Sequence, residues 1–392
     1  MMTATALKNS PLSFKLTEEQ SLIEQTIREI AEKEFAPRAK EVDQNHRFPR
    51  ENWDLLVASD FAGLPFPEKY GGAGLDHICY AIVVEELAKA CATTSVLYSA
   101  HVSLCATPVF VFGTEEQKER LLTPLCKGEM LGAFALSEPG SGSDSAAATC
   151  MARREGDTFI LNGAKNWITN GIEADLYLVI AQTDPALKHK GLVALLVEKG
   201  TPGFTFGKLE DKLGIKGSAT CQILFENSPV PVGNMLGQVG EGFKVAMVTL
   251  DGGRIGIAAQ AVGIAQGAWN HANQYAKQRK AFGKLVSEFE AIRFMLVDMQ
   301  TEIDAARLLT YQASIAQDRG DRFTMEAAQA KLYASEVAMR STTKCVQIFG
   351  GYGYVTDYPA ERYMRDAKIT EIYEGTSEVQ RIVIANSILK GR

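Results

Sequence analysis

The strongest constraint on this chain is that its hydrophobic period changes twice. Up to about residue 125, apolar residues recur every three to four positions. From about 130 to 232 they gather in short β-type runs, and from Glu241 the helical spacing returns. Strands never alternate with helices, which argues against a doubly wound parallel sheet. The pattern predicts an α+β chain: an N-terminal α-helical domain over 1–127, a β-domain over 128–235 and a C-terminal helical bundle over 236–392.

Local signals set the elements. The first ~12 residues read as unstructured, and Thr17-Glu18-Glu19-Gln20 then forms a capping box ahead of an apolar face at Ile23, Ile27 and Ile30. Ala36-Pro37 reads as a break, because proline has no N–H for the helical ladder. Helical segments follow at about 51–60, 76–100 and 115–124. Strand runs are expected at Phe159-Ile160-Leu161, Leu176 to Ala181, Leu192 to Val197 and Gln222 to Phe225, with Pro229 and Pro231 marking the exit. Phe289, Ile292, Leu296, Met299, Ile303 and Ala306 share one face of a long helix that Gly320 ends. Phe323 to Ile348 and Ser377 to Leu389 are helical again, separated by Gly350-Gly351-Tyr352-Gly353.

Composition narrows the function. A formal net charge of −6 leaves no electrostatic footprint for nucleic acid. Seven cysteines at irregular spacing read as reduced, buried thiols in a reducing compartment. The five histidines form no close pair, so no metal site is expected. No run approaches the ~18 apolar residues of a membrane span. The N-terminus lacks a secretory or transit pattern, so cytoplasm is expected, with an organelle matrix as the alternative for a processed chain.

Neither Glu138-Pro139-Gly140-Ser141-Gly142-Ser143-Asp144 nor Gly350-Gly351-Tyr352-Gly353 completes a dinucleotide fingerprint, and no P-loop is present. Each reads first as a tight turn, although glycine amides there can face a phosphate or a flavin ring. Trp167-Ile168-Thr169-Asn170-Gly171 is either core or a flank for a flat cofactor. Arg279 is either a solvated helix end or a diphosphate partner. Asp251 and Arg254, three apart, are a surface ion pair on this reading, and Glu374, ahead of Gly375-Thr376-Ser377, is a helix cap.

Together and in this order the segments resemble the acyl-CoA dehydrogenase family over nearly the whole chain. The resemblance rests on Phe134 to Asp144 (FALSEPGSGSD), Trp167 to Gly171 (WITNG), Arg279 to Gly283 (RKAFG), Gln347 to Gly351 (QIFGG) and Ile372 to Ser377 (IYEGTS). It implies an antiparallel β-barrel-like middle domain, a C-terminal four-helix bundle and a homotetramer built as a dimer of dimers. It implies FAD, held by Phe134, Leu136, Ser137, Gly142, Ser143, Trp167 and Thr169. Arg279, Phe282, Glu290, Gln347, Gly350 and Gly351 would serve a neighbouring subunit's FAD, with Thr376 and Glu378 closing over its other end. Glu290 departs from the pattern, because the family commonly has glutamine there. Ser143, Asp251, Arg254 and Gly375 would meet the acyl-CoA substrate.

The implied chemistry is α,β-desaturation of an acyl-CoA. Glu374 takes the α-proton, the β-hydride passes to the flavin, and electron-transferring flavoprotein accepts the electrons. Some relatives place the base immediately before the arginine that Arg254 matches; here that position is Gly253. This and Asp251 to Ala258 resemble the short-chain, butyryl-CoA type. The alternatives are a branched or cyclic acyl-CoA substrate, an enoyl-CoA reductase in an electron-bifurcating complex, and a non-catalytic binding or assembly relative.

Overall fold

In the computed structural model residues 15–390 are described; the expectation for the first ~12 residues lies outside them. Helix α1 (Glu18–Ile30) opens on the capping box, with Thr17 Oγ1 accepting from Gln20 N–H at 3.1 Å and Gln20 Oε1 accepting from Thr17 N–H at 3.0 Å. It does not break at Pro37. It widens into a π-helical turn, Ala31–Phe35, and continues as α2 (Ala36–Gln44). The same device recurs twice. Helix α3 (Arg50–Ala58) and α4 (His77–Ala90) are followed by α5 (Ala92–Ser99), a π turn at Ala100–Ala106 and α6 (Thr107–Phe112), which carries Pro108. Helix α7 (Glu115–Gln117) passes through a π turn at Lys118–Leu122 into α8 (Thr123–Cys126), which carries Pro124. A π turn shifts the hydrogen-bond register by one residue, so the proline's missing N–H falls where the ladder is already being reset.

Helix Ala92–Phe112 also corrects the membrane expectation. Its 21 residues, with a mean hydropathy of 1.5 in the best window, are long and apolar enough to cross a membrane by composition, yet 78% of that window is buried inside the protein. It is a core helix here.

The β-domain contains β1 (Gly132–Ala135), β2 (Met151–Glu155), β3 (Thr158–Ile168), β4 (Leu176–Gln182), β5 (Leu192–Glu198), β6 (Phe204–Leu209), β7 (Cys221–Pro231) and β8 (Met235–Leu236), in the order β6-β7-β3-β2-β4-β5-β8 with β1 also on β4. Most pairs are antiparallel, but β1 runs parallel to residues 176–179 of β4. Both faces of β4 are covered. Leu176, Leu178 and Ile180 join the core of the N-terminal helices, while Tyr177, Val179 and Ala181 pack inside the β-domain. That is why β4 is uniformly apolar rather than alternating. Pro229 and Pro231 lie within the end of β7, paired with Ile160 and Thr158 of β3, and Pro231 is the strand's last residue, with only the two-residue β8 following. Strand β6 pairs with β7 only as far as Phe225, so beyond it the second edge is open and tolerates proline.

The C-terminal part begins with α9 (Gly242–Ala276). A short hairpin, β9 (Lys280–Ala281) and β10 (Lys284–Leu285), leads to α10 (Glu290–Asp318), α11 (Thr324–Phe349), α12 (Ala360–Thr370) and α13 (Ser377–Lys390). On α10, Met299, Ile303 and Ala306 are fully buried, as their spacing predicts. Helix α9 packs against α4 on one side and α10 and α11 on the other, so it joins the N-terminal helices to the bundle.

Candidate active site

The site is assembled where the turn after α12 meets α9. Glu374 (φ 53°) and Gly375 (φ 94°) are two successive left-handed residues. A non-glycine residue there is held at a cost of about 1–3 kcal/mol by its surroundings. Here the hold is visible. The Gly375 carbonyl accepts from Lys331 Nζ at 2.7 Å and from Gln380 Nε2 at 2.8 Å, and Gln380 Nε2 also donates to the Glu374 carbonyl at 3.2 Å. Both clamping side chains are fully buried.

Thr376 Oγ1 accepts from Val379 N–H at 3.3 Å, so Thr376 supplies the cap of α13. The Glu374 carboxyl is left for other work. The residue is half-buried, but its Oε2 is shut off from solvent and has no hydrogen-bond partner. Burial pushes this carboxyl up to about 7, against the opposing pull of Lys331 and then Arg254. It lies directly against Gly253: a Cβ at that position would overlap Oε2 and sit 2.6 Å from Leu104 Cδ2.

Asp251 and Arg254 are a pair, but not a surface one. Arg254 Nη1 donates to Asp251 Oδ1 at 2.6 Å, with side-chain exposures of 5% and 14%, because α9 is enclosed. Thr324 Oγ1 donates to the other Asp251 oxygen at 2.6 Å, and Arg254 Nε is buried without a partner. Further along the same face of α9, a Cβ at Gly256 would overlap the Tyr80 and Ser99 hydroxyls, which bond each other at 2.9 Å. Gln260 is fully buried, accepting from the Tyr373 hydroxyl and donating to Ala92 O at 3.1 Å.

The cofactor candidates fall into two sets. Phe134 is on β1, and Leu136, Ser137, Gly142 and Ser143 follow it on a loop; Trp167 and Thr169 close β3. A buried ion pair secures this loop: Lys165 Nζ donates to Glu138 Oε1 at 2.7 Å and to Leu136 O at 3.0 Å. Glu138 also accepts from Thr149 and Cys150 N–H at 2.6 and 3.0 Å. Trp167 takes a left-handed φ of 62° and is 61% exposed, which is core-like in neither respect. Gly140 and Gly142 have open space where a Cβ would stand, so their backbone is accessible to a flat ligand.

The second set lies in the C-terminal part. Arg279 directly precedes the β9–β10 hairpin, whose turn carries Phe282, Glu290 begins α10, Gln347 lies in the last turn of α11, and Gly350 and Gly351 lie in the 3-10 turn that follows it. Arg279 lies over the Tyr352 ring at 5.5 Å, which joins hairpin and turn. Phe282 is 96% exposed, and Gly350 and Gly351 also face open space. Glu290 is exposed at a helix N-terminus, where the helix dipole favours a carboxylate. Thr376 is half-buried and Glu378 exposed at the start of α13. These open glycines and uncovered aromatics fit a bound FAD.

Lys331, Gln380, Lys165 and Gln260, all fully buried around the site, belong to no recognisable motif. For Lys331 a signal exists: it occupies the helical stripe of Ala327, Ala334 and Ala338, where a lysine has no business unless it meets a partner.

Comparison with known proteins agrees along the chain. The N-terminal, middle and C-terminal domain models of acyl-CoA dehydrogenase match residues 17–129, 133–228 and 240–389. A short-chain specific acyl-CoA dehydrogenase of Clostridium acetobutylicum is 52% identical over 97% of this chain and 100% of its own length. The structure of butyryl-CoA dehydrogenase from Megasphaera elsdenii superposes with a TM-score of 0.95 at 49% identity, over 96% of this chain and 100% of that one. A chain solved in work on the electron transferring flavoprotein of Acidaminococcus fermentans, toward a mechanism of flavin-based electron bifurcation, gives a TM-score of 0.96 at 52% identity, over 97% and 100%.

Proposed function

Since the chain belongs to the acyl-CoA dehydrogenase family, we propose that it desaturates short-chain acyl-CoA thioesters to trans-2-enoyl-CoA, with Glu374 as the base. The observation that carries this reading is the Glu374 carboxyl: buried, unpartnered at Oε2 and pushed up to about 7, where a general base works near neutral pH. FAD, when bound, supplies the acceptor for the β-hydride. The Glu374 backbone N–H polarises the thioester carbonyl as α-charge develops. Asp251 and Arg254 anchor the CoA portion. Phe134, Leu136, Ser137, Gly142, Ser143, Trp167 and Thr169 hold the chain's own FAD, and the set from Arg279 to Gly351 reaches the FAD of a partner chain in a homotetramer. Exposed Phe282, Phe294, Val297 and Ile382 support burial between copies. Electron-transferring flavoprotein is the proposed acceptor, in a compartment that keeps seven buried thiols reduced.

The short-chain preference is supported by closure of the α9 face beyond Gly253, where Tyr80, Ser99 and Gln260 leave polar groups rather than an apolar channel. A second reading, enoyl-CoA reduction within an electron-bifurcating system, is favoured by the Acidaminococcus likeness. Anaerobic flavin bleaching with a panel of acyl-CoAs tests the first. Butyryl-CoA bleaches the flavin and Glu374→Gln abolishes bleaching while keeping FAD. Equal turnover of palmitoyl-CoA, or normal flavin reduction in the variant, overturns it.

A further inference from the structure

The turn that carries Glu374 is held from the middle of α11, between Thr324 at its start and Gln347 near its end. Lys331 lies in the interior stripe of α11, fully buried, with its Nζ 2.7 Å from the Gly375 carbonyl, one residue past the base. A buried lysine is among the costliest residues to place, and alanines occupy the neighbouring positions of that stripe. Its partner in the clamp, Gln380, comes from α13 and is neutral. The two therefore do different things. Both donate to the carbonyl that fixes the left-handed pair at Glu374 and Gly375, but only Lys331 brings charge.

We infer that Lys331 is a positioning residue for the reaction: its ammonium locks the base-bearing turn and is the cation that keeps the buried Glu374 carboxylate available as a base. The inference rests on the reading of Glu374 as that base. The groups facing this carboxyl come from every side. Arg254, itself paired with Asp251, faces it from α9, Tyr80 from α4 and Tyr373 from the turn. Glu371 and Glu378 face Lys331. Arg254 is already committed to Asp251, and the carboxylates near Lys331 are on the turn and the exposed start of α13. Lys331 is the larger of the two cationic influences opposing burial at Glu374. Burial in turn depresses the lysine to about 8, with Glu374 pulling the other way, so it remains largely charged at neutral pH.

Three variants of the FAD-loaded enzyme separate the two roles: Lys331→Gln, which keeps a donor without charge, Lys331→Arg, which keeps charge, and Gln380→Leu, which removes the neutral donor. FAD content and melting temperature are measured first, then the acid limb of kcat/KM with butyryl-CoA. In Lys331→Gln the limb moves alkaline by about 1 pH unit, so that activity at pH 6 falls about tenfold beyond any pH-independent loss and recovers as pH rises. In Gln380→Leu, kcat falls with the limb unmoved. In Lys331→Arg the limb stays within a few tenths of its original position, and this variant decides the matter where Lys331→Gln fails to hold FAD. A Lys331→Gln limb coincident with the parent, or a Lys331→Arg limb displaced as far as the uncharged variant predicts, overturns the inference. A parent enzyme that no acyl-CoA bleaches sinks instead the reading of the site.

Discussion

Gly253 and Glu374 share one space: the carboxyl Oε2 occupies the volume a Cβ at residue 253 would need. The glycine is a requirement of the base rather than an incidental small residue on α9. Gly253→Ala therefore pushes the carboxyl away, with Leu104 blocking the other direction at 2.6 Å. A displacement near 1 Å at the reacting centre costs about 10²-fold in rate. Stopped-flow flavin reduction in Gly253→Ala should slow by that order while FAD content stays normal. An unchanged rate means that the carboxyl works from a different position.

The same burial makes Glu374 costly to the fold. Its carboxyl sits at about 7 in the folded chain against an ordinary 4.5, so between those values the folded state keeps a proton the unfolded chain has lost. The contribution is full below pH 4.5 and is lost as pH rises through 7. Glu374→Gln removes the ionisation, so at pH 8 it should be more stable than the parent by about 3 kcal/mol. At pH 4 the two should melt together. Calorimetry at both pH values, with equal FAD loading, checks the sign.

Lys165 and Glu138 are 0% and 2% exposed and meet at 2.7 Å beneath the loop that carries Gly142 and Ser143. Removing one partner leaves the other charged and buried, which costs about 3–5 kcal/mol. Lys165→Met should lower the denaturation midpoint accordingly and release FAD, read as loss of flavin absorbance after gel filtration. Lys165→Met with Glu138→Gln should recover part of both. If the single variant keeps its FAD and midpoint, the pair does not secure the loop.

The three-part architecture was legible because it depends on period. Helical spacing on α10 put Met299 and Ile303 in the core as expected, and β4 was recognisable as an apolar run. What misled were single residues read without their neighbours. Pro37, Pro108 and Pro124 sit inside helices because a π turn precedes each, and nothing in the local sequence announces a register shift. Pro229 stays in β7 because β6 is short, a fact about a distant strand. At the site, Glu374 alone resembled a cap, and local chemistry favoured that reading. Its distinction comes from α11 and α9, 43 and 121 residues away at Lys331 and Gly253, and tertiary contacts of that kind leave no spacing to read. The stripe on α11 was the one exception that sequence patterning offered.

Gln260 tests the depth of the acyl site. It lies seven residues past Gly253, two helical turns along the same face of α9, and its side chain bridges Ala92 O and the Tyr373 hydroxyl. Gln260→Ala removes the side chain beyond Cβ and opens room on that face. A site gaining space for further methylenes should raise kcat/KM for hexanoyl-CoA relative to butyryl-CoA by about tenfold, less than the roughly 1–3 kcal/mol each of the two extra methylenes is worth in a fully apolar pocket, because the Tyr80 and Ser99 hydroxyls line this face. The gain carries a penalty, because the Tyr373 hydroxyl loses its partner at a cost of about 1–3 kcal/mol, and Tyr373 adjoins the base. Butyryl-CoA turnover should therefore fall in the same variant, and the ratio is the informative quantity. A ratio that stays at the parent value while butyryl-CoA turnover drops would mean that Gln260 acts on the tyrosine alone and that another wall sets the depth.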